Sequence, residues 1–141
     1  MDKKILKFLT KQRVCAFTTL LKDRSPHTSA MHFSYIDNPL EIYIQTENSS
    51  KKCEALLDGV GFKGSFVIGF GEEEFVTLQM DGDIKIITNK NELENIHKIH
   101  YSKNPDAKQW KDDPATIFLV FKPIWWRYTE YKPKFMAIES K

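Results

Sequence analysis

At 141 residues, with 41% apolar, 28% charged and 13% aromatic residues, the chain has the length of one compact domain (~100–200 residues) and a composition that is neither disordered nor fibrous. Its 21 Lys and Arg against 19 Asp and Glu leave a net charge of +2, which excludes the strong overall basic field expected of a nucleic-acid or anionic-membrane binder. Only three of those cations are Arg, the residue that grips phosphates and base edges bidentately, and no stretch approaches the ~18 apolar residues of a membrane span.

Residues Asp2 to Gln12 place Ile5, Leu6, Phe8 and Leu9 on one side at helical spacing, which predicts a short amphipathic helix capping one end of the core. Lysines interrupt this opening where a secretory leader would need a continuous apolar run, so a cytoplasmic location is expected. Cys15 and Cys53 fit no metal or redox spacing and are expected as free buried thiols. Val14 to Leu21 is rich in strand formers, Lys22-Asp23-Arg24-Ser25 is turn-like, and Thr28 to Ile36 returns as a second strand, giving a hairpin. Asp37-Asn38-Pro39 marks another turn, after which Glu41 to Thr46 alternates Ile42 and Ile44 with more polar neighbours.

Ser49 or Ser50 is placed to N-cap a helix running to about Asp58, with Cys53, Leu56 and Leu57 as its apolar stripe and Gly59 as its stop. Ser65 to Phe70 and Phe75 to Ile87 read as strands, the second with a bulge at Asp81-Gly82-Asp83 of the kind a barrel corner needs. Asn89 with Glu92 forms a capping box for a helix to about Tyr101. Pro105 to Pro114 reads as loop, and Ala115 to Lys122 and Trp125 to Tyr131 as the last strands. The sum is a mainly β protein, an antiparallel barrel of six or seven strands with short helices, spanning residues 1–141 as one domain.

The strongest chemical feature is Thr46-Glu47-Asn48-Ser49-Ser50-Lys51-Lys52, between a strand end and a helix start. Lysines in a first helical turn sit on the unfavourable side of the dipole, at ~0.3–1 kcal/mol each, and two in succession have two explanations. They are solvated beside an ordinary Ser50 cap, or they neutralise a bound phosphate held by hydroxyls and backbone amides. Gly59-Val60-Gly61-Phe62-Lys63-Gly64 matches the dinucleotide fingerprint only literally, because it follows a helix and opens a strand. His97 and His100 are three apart on a helix without an accompanying carboxylate motif, and no nucleophile elbow is present. Trp125, Trp126 and Tyr128 with Arg127 and Lys122 are expected as packing or a subunit interface in preference to a nucleic-acid stacking surface.

Together the entry helix, FTTLLKDRSPHTSAMHFSY, IYIQTENSSKKCEALL, VTLQMDGDI and FLVFKPIWWRY resemble the pyridoxamine 5′-phosphate oxidase-related family of flavin-binding split barrels, in order and spacing, over nearly the whole chain. The resemblance implies a homodimer that binds two flavin mononucleotides (FMN) in clefts between subunits and acts on a small-molecule substrate; from charge and composition, no nucleic-acid or membrane partner is expected. It implies that Thr46, Ser50, Lys51 and Lys52 grip the flavin phosphate, and that Met31, His32, Phe33 and Ser34 run beside the isoalloxazine ring. The family's strand glutamine falls on Thr77, with Gln79 on the same face as its substitute. The tail YTEYKPKFMAIESK lacks the Arg-x-His substrate motif of authentic oxidases, and Ala30 stands near the place of a basic residue on the flavin-contacting strand. A flavin-dependent oxidoreductase is the leading expectation. Its alternative is a non-enzymatic module that binds or senses flavin or haem, with His27 or His32 as an axial ligand.

Overall fold

The computed structural model describes residues 1–141. Helix α1 (Lys3–Lys11) begins where the Asp2 carboxylate accepts from the Lys4 amide at 2.7 Å, the N-cap arrangement that satisfies one otherwise free helical donor. Strands β1 (Val14–Leu20) and β2 (Pro26–His32) form the expected hairpin, followed by β3 (Ser34–Asp37) and β4 (Leu40–Glu47). After a short helical stretch come β5 (Lys63–Ile68), β6 (Val76–Ile87), helix α3 (Lys90–Lys103), β7 (Thr116–Glu130) and β8 (Met136–Glu139). The short stretch is a 3₁₀ turn, Lys51–Cys53, running into α2 (Glu54–Leu57).

All pairings are antiparallel, in the order β2-β1-β5-β6-β7-β4-β3, with β8 added to β7. The two ends of that order, β2 and β3, are consecutive in the chain and separated only by Phe33. The sheet therefore curls until its ends meet at Phe33, while β2 and β4 carry no ladder between them. The result is a barrel that is split along one side.

Inside it, alternation sends Cys15 and Phe17 of β1, Leu78 and Met80 of β6, and Leu119 and Phe121 of β7 into one core with Phe33, Ile42, Ile44 and Phe66. Phe66 stacks on Phe121 (6.2 Å, 20°) and meets Phe33 edge-on (5.1 Å, 87°). Ile5 and Leu9 of α1 are fully buried at one end of this core, and Phe8 meets Tyr128 edge-on at 5.9 Å. A second, smaller core forms outside the barrel, where Ile96 and Tyr101 of α3 cover Tyr43, Ile87, Phe118 and Val120.

The differences from the sequence expectations have local causes. The expected strand Thr28 to Ile36 is two strands, because Phe33 and Ser34 are successive residues that are both buried, which strict alternation on one sheet face cannot provide. The two expected last strands are one: β7 runs through Pro123, and the register shift opposite Asp81/Gly82 leaves Ile124 as its unpaired, 63% exposed residue. The irregularity falls where the sequence placed it, but the extra residue belongs to the facing strand. The helix expected from Ser50 to Asp58 shrinks to a 3₁₀ turn and one α turn, and Ser50 makes no side-chain capping bond. Part of the expected Pro105 to Pro114 loop is a 3₁₀ helix, Pro105–Trp110, and the tail contributes β8. No helix is long and apolar enough to cross a membrane.

Candidate functional site

Pairing of β3 with β4 stops at Ser34↔Tyr43, so the far end of β4 diverges from β2 and both strand edges face a gap. That gap is a cleft of about 280 Å³ lined by Ala30, Met31 and His32 of β2, Gln45, Thr46 and Glu47 of β4, and Thr116 of β7. His100 of α3 and Ala107 and Trp110 of the following 3₁₀ helix form its remaining wall. Side-chain bonds fix that wall to β4: the Tyr101 hydroxyl donates to Gln45 Oε1 at 2.6 Å, and Gln45 Nε2 donates to the Ala107 carbonyl at 3.1 Å. Asn104 Nδ2 donates to the Phe33 carbonyl at 3.1 Å, tying the end of α3 to the point where the barrel closes.

Below Thr46 the chain turns sharply. Ser50 Oγ donates to the Glu47 carbonyl at 2.8 Å and lies 3.2 Å from Thr46 Oγ1. Lys52 reaches back so that Nζ donates to Thr46 Oγ1 at 3.1 Å. Lys52 is only 8% exposed, and none of the ion pairs in the protein includes it or Lys51. The side chain is largely covered, and the only protein partner of its ammonium is a hydroxyl, so no carboxylate neutralises it. This group fits an anion, and a phosphate in particular, since two hydroxyls stand beside it as further hydrogen-bonding groups. The abbreviated helix contributes little dipole of its own, so the attraction rests on Lys52.

The sequence candidates divide accordingly. Met31, His32 and Thr46 line the cleft, and Ser50 and Lys52 are bonded to Thr46 or lie against it. Lys51 is exposed. Phe33 is fully buried in the barrel core and Ser34 is buried with its hydroxyl 2.8 Å from His100 Nδ1, so neither side chain reaches the cleft surface. Thr77 and Gln79 point outward from β6, opposite the core residues Leu78 and Met80, and do not line this cleft. His27 lies outside the lining too. His97 stacks on Tyr101 at 5.4 Å, and no group of three metal-ligating side chains exists.

Sequence reasoning weighed His100 only as a metal partner of His97 and passed over Gln45 and Trp110. Trp110, 48% exposed, had a signal in being a lone aromatic within the polar run KQWKDDP. The place of Gln45 and His100 in the cleft had none, since it depends on α3, which carries His100, docking across β4, which carries Gln45. Burial, with His32 and Lys103 nearby, pushes the His100 imidazole down to about 4, so it is neutral near pH 7. A second hollow of about 310 Å³ lies beside Glu41, Lys85 and Lys122. Glu41 there is matched by Lys122 at 3.4 Å and receives the Tyr43 hydroxyl at 3.4 Å, leaving it no comparable unmet demand.

The family model for pyridoxamine 5′-phosphate oxidase matches residues 1–130. Among solved structures, a protein related to general stress protein 26 of the pyridoxinephosphate oxidase family, from Clostridium acetobutylicum, superposes with a TM-score of 0.74 at 20% identity, covering 100% of this chain and 96% of that one. A conserved hypothetical protein from Mycobacterium tuberculosis gives 0.74 at 17% identity, over 94% of this chain and 86% of the other. HutZ, the haem storage protein of Vibrio cholerae, gives 0.72 at 11% identity, over 86% and 89%. At these identities the superpositions establish the shared split-barrel fold. No curated protein sequence matches the chain.

Proposed function

We propose, from the premise that this chain belongs to the pyridoxamine 5′-phosphate oxidase family, that it is an FMN-binding oxidoreductase acting on a small molecule in the cytoplasm, with residues 1–141 as one flavin-binding domain. The observation that carries the reading is Lys52, a largely covered lysine with no carboxylate partner, whose ammonium is bonded to Thr46 of the cleft lining. Lys52, Thr46 and Ser50 receive the phosphate, and Ala30, Met31 and His32 flank the ring. Lys51, exposed beside them, adds long-range charge. A flavin held there supplies hydride and single-electron transfer. The chain's own residues bind and orient: Gln45 and Tyr101 keep the wall rigid, and Met31 and Trp110 exclude water. No side chain is assigned as a proton donor or acceptor.

A cleft of about 280 Å³ is at the lower limit of ligand pockets, ~300–1,000 Å³, and one chain leaves it open. A homodimer completes it. The outward face of β6 carrying Thr77 and Gln79, beside the exposed Ile124 of β7, is the surface a second copy would bring to the cofactor.

The second reading, haem binding, draws on the two imidazoles of His32 and His100 in the cleft wall and on the shared fold with a haem storage protein. The absorption spectrum of the freshly purified full chain separates the two. The flavin reading expects a two-band flavin spectrum and release of FMN on denaturation. A Soret band, with no flavin released or taken up, would replace it with the haem reading.

A further inference from the structure

His100 is the one titratable side chain that is both almost completely enclosed, at 1% exposure, and part of the cleft wall. Its ring is held from every side. Nδ1 lies 2.8 Å from the buried Ser34 hydroxyl, the ring stands edge-on to Phe118 (5.2 Å, 83°) and to Tyr101 (5.9 Å, 76°), and its own carbonyl accepts from the Asn104 amide at 3.4 Å. Nε2 has no partner in the protein. It is not among the buried polar atoms left without a partner, so it is the ring's free polar position at the cleft, and a ring locked in this way cannot turn it elsewhere.

Building on the reading of the cleft as a site for a flat redox ring, we infer that His100 is a recognition residue for that ring, its Nε2–H donating to a carbonyl oxygen or unprotonated nitrogen at the ligand's edge. The tautomer follows from the surroundings. Burial and the flanking His32, His97 and Lys103 keep the imidazole neutral near pH 7, so one nitrogen carries the proton. The Nε2–H form is the intrinsically favoured neutral tautomer, and the Ser34 hydroxyl serves it by donating to Nδ1. Ser34 is therefore a positioning residue, acting on the ligand through His100. The division of labour is spatial: Lys52 and Thr46 read the phosphate, and His100 reads the heterocycle. A site that hydrogen-bonds a ring heteroatom discriminates against rings lacking one, because the histidine would then be left unpaired.

The test compares FMN and riboflavin, which share the ring and differ in the phosphate, on wild type, His100→Phe, His100→Gln, Ser34→Ala and Lys52→Met, with thermal unfolding to verify each fold. His100→Phe is expected to weaken both flavins equally, by roughly three- to tenfold, the size of one hydrogen bond. His100→Gln, which keeps a donor, should recover part of that loss, and Ser34→Ala should weaken both flavins to a lesser degree. Lys52→Met should weaken FMN alone. Nitrogen NMR of the wild type should show the His100 Nε2–H tautomer before flavin is added and a downfield shift of that proton afterwards. Unchanged flavin affinity in His100→Phe, or a protonated Nδ1 in the wild type, overturns this inference while leaving the flavin reading intact. A wild type that binds neither flavin overturns both.

Discussion

Lys52 Nζ donates to Thr46 Oγ1 at 3.1 Å although the lysine is only 8% exposed and forms no ion pair. Its neighbour Lys51 is exposed, so two residues that look equivalent in the sequence are physically unlike. Lys52→Met is expected to raise the FMN dissociation constant by about 10- to 100-fold, the ~1.5–3 kcal/mol of a charge-assisted hydrogen bond. Lys51→Ala should change it less than about threefold, in keeping with an exposed charge. Without ligand, Lys52→Met should unfold at a urea concentration close to that of wild type, since it removes no ion pair and keeps a side chain of similar length. Fluorescence titration and urea denaturation check both halves.

At Gly82 a Cβ would run into the carbonyl of Lys122 and the backbone of Pro123, where β6 and β7 approach each other beside the bulge at Ile124. Gly82→Ala must push two paired backbones apart. The expected cost is about 1–3 kcal/mol, read as a lower urea midpoint, whereas Gly71→Ala, with open space around it, should stay within about 0.5 kcal/mol.

These two positions also show what was legible in the sequence. Alternation in VCAFTTLL and VTLQM identified the inward faces, and the Asp81-Gly82-Asp83 signal located the barrel corner, because both are local patterns with a period of two. The Asn89–Glu92 cap was equally local, and the Asn89 side chain accepts from the Glu92 amide at 3.0 Å. In the Thr46–Lys52 segment the sequence does not distinguish the two lysines, whereas the fold turns Lys52 back onto Thr46 and leaves Lys51 exposed. The break at Phe33 and the place of His100 could not be read locally. Ser34 and His100 are 66 residues apart, and their meeting depends on where α3 docks.

The pH dependence of stability carries the signature of His100. In the unfolded chain it titrates at its ordinary 6.5, and in the fold at about 4, so between these values the unfolded chain holds more protons. Stability present above pH 6.5 is therefore lost as pH falls toward 4, by on the order of 3 kcal/mol. Urea unfolding from pH 7.5 down to 4 should show this slope, and His100→Gln should flatten most of it. Burial also holds His97 below its ordinary value, which leaves a smaller residual slope in the variant.

Cys15 and Cys53 are both fully buried. Burial pushes the Cys15 thiol up to about 12 and raises Cys53 as well, although the Ser50 hydroxyl and Lys52 partly oppose that rise. Neither forms appreciable thiolate at pH 8. A chromogenic disulfide reagent should find no fast-reacting thiol in the folded protein and both thiols in denaturant.

The central claim is that the cleft between β2 and β4 ends in a phosphate-reading pocket built on Lys52. The most direct measurement is the ratio of riboflavin to FMN dissociation constants for the ligand-free wild-type protein. The account predicts that FMN binds at least about 100-fold tighter, corresponding to ~2.7 kcal/mol from the phosphate. Equal affinity for the two flavins would contradict it.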